Sequence, residues 1–104
     1  MSIQITTKNF SDIIFNSKQT VLLNFLSSDK ETAKKQRDIL HQFAIQNPQI
    51  LVADIDCQKE PGLVSMYKST PAQVASVKIF KNGRCVASAD GLLTKQELLQ
   101  LASK

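Results

Sequence analysis

Val74-Ala75-Ser76-Val77-Lys78-Ile79-Phe80-Lys81-Asn82-Gly83 is the stretch on which the fold turns. Val74–Phe80 is a mostly apolar run that reads as a long strand. It stops at Asn82-Gly83, a dipeptide that supplies the positive φ angles of a tight hairpin. Arg84–Ser88 is therefore expected to return beside it, antiparallel, as an edge strand. Upstream the pattern differs. Thr20–Leu26 (TVLLNFL) and Ile50–Asp56 (ILVADID) are nearly unbroken apolar runs, as expected of strands covered on both faces.

Helical patterns fill the spaces between these runs. Ser28-Asp29-Lys30-Glu31 reads as a capping box in which Ser28 and Glu31 satisfy each other's free amides. The helix behind it carries Ala33, Leu40, Phe43 and Ala44 on one stripe and is bounded by Pro48. Nearer the start, Ile3–Thr6 alternates like a short strand, and Phe10, Ile13 and Ile14 have the spacing of a short amphipathic helix. Pro61-Gly62 precedes a short helix over Leu63–Tyr67. Gly91 precedes a last helix, with Thr94 and Glu97 as a second capping box and Leu98, Leu99, Leu101 and Ala102 expected to face the core. The order β-α-β-α-β-α-β-β-α implies an α/β fold, a central mixed sheet flanked by helices on both faces.

The composition is that of an ordinary globular chain: 104 residues, 42% apolar and 21% charged, which suits one domain over 1–104 and leaves no room for a second. No run approaches the roughly 18 apolar residues of a membrane span. Met1–Thr6 lacks the basic and apolar regions of a signal peptide, so a cytoplasmic location is expected. The net charge of +4 is mild. Lys30, Lys34, Lys35 and Arg37 are interleaved with Asp29, Glu31 and Asp38, and aromatics are few, which argues against a nucleic-acid surface. Cys57 and Cys85 fit no metal or redox spacing, and with His41 the only histidine no metal or cofactor is expected.

The whole chain resembles the thioredoxin family. The similarity is carried by Ile3–Phe10 (IQITTKNF), by the spacing from Phe10 to Leu23-Asn24-Phe25, by Asp54-Ile55-Asp56, by Pro61-Gly62 and Tyr67, and by Phe80–Gly91 with its Phe-Lys-Asn-Gly hairpin. The resemblance implies the thioredoxin fold. It also locates the family's active-site motif, W-C-G-P-C, on Asp29-Lys30-Glu31-Thr32-Ala33. Lys30 then stands where the attacking cysteine belongs and Ala33 where the resolving one belongs. Exchange with a disulfide needs a thiolate; an ammonium and a methyl group supply none. The resemblance further places the family's buried aspartate on Asn24, that aspartate's lysine neighbour on Val52, and the cis-proline on Ala75. A bond before Ala75 is expected to be trans, since a cis peptide without proline costs about 2.5–4 kcal/mol. The segment from Tyr67 to Phe80 is two residues longer than the family's, and an insertion after Pro71 is the arrangement that restores a proline there.

The expectation is a redox-inactive protein-binding module. A protein or extended peptide would lie in the degenerate active-site groove, against Asp29, Lys30, Thr32, Val74 and Ala75. Two other readings stand beside it. One is a single-cysteine thiol oxidoreductase using Cys57, whose thiol Lys59 would activate and Asp54 and Asp56 would suppress. The other is a structural subunit of a larger assembly. Lys78, interrupting an apolar strand, is expected to snorkel.

Overall fold

The computed structural model describes residues 3–104. Five strands form one sheet in the order β1-β3-β2-β4-β5: β1 is Ile3–Gln4, β2 Thr20–Leu26, β3 Ile50–Asp56, β4 Ser76–Lys81 and β5 Arg84–Asp90. β3 runs parallel to both β1 and β2; β4 runs antiparallel to β2 and to β5. Three α-helices complete the fold, α1 (Lys30–Gln46), α2 (Pro61–Tyr67) and α3 (Lys95–Ala102).

Side chains of a strand alternate between faces, and two cores result. On one face Val21, Leu23, Phe25, Ala53, Ile55 and Phe80 pack with Phe10 and Ile14 and with Val64 of α2. On the other, Leu22, Val52, Val77 and Ile79 pack against Leu40, Phe43 and Ala44 of α1 and Leu98 and Ala102 of α3. β2 lies in the middle of the sheet and is buried on both faces from Val21 to Leu26, which is why its sequence shows no polar alternation. Its single polar residue, Asn24, takes the α1 face beside Leu22.

Several local expectations are corrected. The first strand stops at Gln4, and the Phe10–Ile14 segment is a π-helical turn (Ser11–Phe15) closed by Asn16 N–H donating to Ser11 O at 3.2 Å. α1 is capped by Asp29, not Ser28: its carboxylate accepts from Thr32 N at 3.0 Å. β4 begins at Ser76, because Val74 and Ala75 belong to the preceding loop, and β5 continues to Asp90. The Thr94–Glu97 capping box is formed in both directions. Leu99, however, is exposed, since α3 turns only Leu98 and Ala102 fully inward. Lys78 is half-buried, paired with Leu23 and Ser88.

The hairpin is as the Asn-Gly pair dictates, with φ of 53° at Asn82 and 78° at Gly83. Gly83 is constrained twice. A side chain there would be strained by the positive φ, and its Cβ would stand 3.0 Å from the carbonyl oxygen of Phe15. Phe15 cannot easily retreat, because its ring packs edge-on against Phe10 and Phe80. Gly83→Ala should therefore destabilise the fold by about 1–2 kcal/mol, read as a lowered urea midpoint with an unchanged slope. Gly62, which has open space around it and no positive φ, should tolerate alanine.

Candidate functional site

The parallel register that sets Leu26 against Asp56 brings the ends of β2 and β3 to the same edge of the sheet, and antiparallel β4 begins there, Ser76 opposite Phe25. Three chain segments consequently meet: Ser27–Lys30 leading into α1, Cys57 leaving β3, and the loop Ser69–Ala75 leading into β4. Of the residues expected to form a partner surface, Asp29, Lys30 and Thr32 share the start of α1. Asp29 and Lys30 are exposed and Thr32 is half-buried. Thr32 donates to Asp29 from both its amide and its hydroxyl (3.0 and 2.7 Å), and these two bonds hold the Asp29 carboxyl below its ordinary pKa.

Val74 and Ala75 reach the same edge, at the end of a loop held to the chain before α1. Ser28 N–H donates to Ala72 O at 2.9 Å and Ser27 Oγ donates to Gln73 O at 2.6 Å, so the loop is bonded directly onto the residues before the helix. Val74 is half-buried. Ala75 is only 2% exposed, and its carbonyl accepts from Gly91 N at 2.7 Å, so its side chain offers nothing to a partner. No peptide bond among the described residues is cis, at Pro71 or at Ala75. What fastens this longer loop is Lys68, which sequence reasoning passed over. It is buried, and its ammonium donates to Thr70 Oγ1 (2.7 Å), Thr70 O (3.0 Å) and Pro71 O (2.6 Å). Its acceptors lie only two and three residues further along the chain, so the ammonium closes the start of the loop on itself.

The open space lies on the other flank of the helix start. A cavity of about 340 Å³ is lined by Lys30, Ala33 and Arg37 of α1, by Leu26, Ser27 and Ser28, and by Asp56, Cys57 and Gln58. Lys30 and Ala33 thus share a cavity with Cys57. Cys57 is half-buried, and its Sγ donates to Leu26 O at 3.0 Å. Its pKa is raised, chiefly by burial and further by Asp56, against the opposing charge of Lys68. The nearby cation is Lys68, not Lys59 as expected: a residue distant in the chain is brought close by the fold. Cys85 is exposed on β5. Among the described residues no cluster of three ligand side chains is placed to hold a metal, and no helix is long and apolar enough to cross a membrane.

Beneath the site runs a buried polar chain. Asn24, fully buried, donates through Nδ2 to Asp54 Oδ1 at 3.1 Å. Gln36 Nε2 donates to Asn24 Oδ1 (2.8 Å) and Phe25 O (3.1 Å), while Gln36 Oε1 accepts from Ser27 N at 2.8 Å. The cross-strand neighbour of Asn24 is therefore Asp54, and Val52, expected there, pairs with Leu22 instead. No buried side-chain polar atom among the described residues lacks a partner.

That pairing sharpens the consequence of restoring an acid. Asn24→Asp would set a second buried carboxyl where the amide now donates to Asp54. Burial and the neighbouring carboxylate both raise the new group's pKa in the folded state. The unfolded chain, with an aspartate near 3.9, releases the proton first, so stability falls as pH rises above about 4. The loss relative to wild type should be larger at pH 8, about 3 kcal/mol or more, than at pH 5. Equal urea midpoint shifts at the two pH values would contradict this.

A sequence model of the thioredoxin family, described as Thioredoxin, matches residues 1–104. A protein named Thioredoxin from Chlamydia trachomatis serovar D is 25% identical over 100 residues, covering 96% of this chain and 94% of its own length. The sheet order, the parallel β1-β3-β2 core, the closing hairpin and the family match over the full length agree: the chain belongs to the thioredoxin family and has its fold.

Proposed function

We propose that this chain is a non-enzymatic member of its family, a protein-binding module that engages a peptide or partner protein at the degenerate active-site end. One observation carries the reading. Lys30 and Ala33 occupy the start of α1 where the resemblance places the dithiol, while the cap, both cores and the buried amide chain are intact. Dithiol exchange requires a thiolate to attack and a second thiol to resolve the mixed disulfide; neither position offers sulfur.

The single-cysteine alternative rests on Cys57, which shares the cavity with Lys30. Its thiol is held in the protonated form by burial and by Asp56, the wrong direction for a nucleophile working near neutral pH. The purified protein should therefore give no reduction of insulin disulfides above that of dithiothreitol alone. Turnover of NADPH with thioredoxin reductase would overturn the non-enzymatic reading.

Binding is tested by affinity capture with mass spectrometry. Lys30→Glu should abolish recovery of the partner without lowering the melting temperature, whereas Lys18→Glu, at the opposite end of β2, should leave recovery intact. The reverse pattern would favour a structural subunit contacting its assembly through the far end. Ala75 is no place to probe binding, since a bulky residue at so buried a position would damage the fold itself.

A further inference from the structure

Lys30, Lys34, Arg37 and His41 occupy one exposed stripe of α1. At about 100° per residue they fall within about 60° of one another, and no acidic side chain of the helix shares that sector. The stripe borders the buried face on the side of Ala33 and Ala44, and the cavities confirm which way it looks. Lys30 and Arg37 line the space beside Cys57; Arg37 and His41 line a second one, of about 480 Å³, with Gln4, Asp38 and Asp54. Arg37 lines both, so the two spaces adjoin at that residue and together make a trough along one flank of the helix. Gln42, which also lines the second space, accepts from Lys95 of α3 at 3.1 Å.

The floor of this trough carries the opposite charge. Asp56 turns one oxygen into its own turn, accepting from Gln58 N at 2.8 Å, and Asp54 accepts from Asn24. The α1 wall, cationic except for Asp38, stands over a floor of carboxylates and is a poor match for a phosphate chain, which the floor would repel. An extended peptide meets both, presenting acidic side chains to the wall and backbone N–H groups to the floor. The spacing agrees. Alternate residues of an extended chain repeat at roughly 7 Å, and Lys30 and Lys34 are separated by about 6 Å of helix rise. With its net charge of +4 the chain is a weak candidate for self-association through a basic face.

We propose that the partner presents an extended acidic segment, with acids at alternate positions, whose carboxylates seat against Lys30, Lys34 and Arg37 while its backbone runs over the Cys57 cavity. This rests on the protein-binding reading above and names the chemistry of the partner.

The test is fluorescence polarisation on the intact protein with a fluorescein-labelled peptide alternating Glu and Ala, against the same peptide with Gln for Glu. The acidic peptide should bind saturably and at least about tenfold more tightly than the Gln peptide, with affinity falling as salt screens the charges. Arg37→Glu and Lys34→Glu should each weaken binding about five- to tenfold, while Lys35→Glu, about 130° round the helix from the stripe, should change it less than about twofold. Absence of saturable binding, equal binding of the two peptides, equal damage by Lys35→Glu, or tighter binding of a single-stranded oligonucleotide of matched charge would each overturn the proposal. If these fail while Lys30→Glu still abolishes partner capture, only the acidic chemistry is wrong. If capture also survives Lys30→Glu, the binding reading falls with it.

Discussion

Polar side chains in the middle of a sheet covered on both faces are tolerated only when each finds a partner, because an unmet donor or acceptor there costs about 1–3 kcal/mol. Asn24, on the central strand, meets that condition through Gln36 on one side and Asp54 on the other. Gln36 then spends its remaining oxygen on the amide of Ser27, where β2 ends and the chain bends toward α1. Ser27 in turn donates to Gln73 and accepts from Asp29 N, reaching both the loop before β4 and the cap of α1. A single connected path thus fixes strand register, helix position and loop position together. Removing its central amide would unsettle all three.

That path explains why the exposed end of the molecule is asymmetric. On the β4 side, the hydrogen bonds of Ser27 and Ser28 draw the Ser69–Ala75 loop against the helix start, and the buried ammonium of Lys68 closes that loop on itself. On the β3 side Cys57 is tied to Leu26 O and not to α1, and a cavity is left between α1 and Cys57. The charge follows the same division. The cations Lys30 and Arg37 of α1 line the open side, while Glu31 is exposed away from it.

Features with a local cause were legible in the chain. The hairpin follows from the φ demands of Asn82-Gly83, the cap of α3 from Thr94 and Glu97, and the buried strands from unbroken apolar runs. Errors arose where two local solutions competed. Ser28 and Asp29 are both good caps, and Asp29 prevailed because Ser27 and Ser28 are held by the loop, which places the first free helical amides one residue later. Leu99 fits the apolar spacing of α3, yet the helix presents too narrow a face to the sheet to bury it.

The sequence by itself determined the elements, their order, the family's fold and the absence of sulfur at Lys30 and Ala33, because each depends on the periodicity or identity of residues read in place. Tertiary structure alone decided that Asp54 and not Val52 faces Asn24, that Lys68 and not Lys59 is the cation near Cys57, and that the open cavity lies beside β3 instead of beside Ala75. The physical reason is common to all three. Strand register and loop docking juxtapose groups far apart in the chain, and a shift of two residues along a strand keeps the same face while exchanging one neighbour for another.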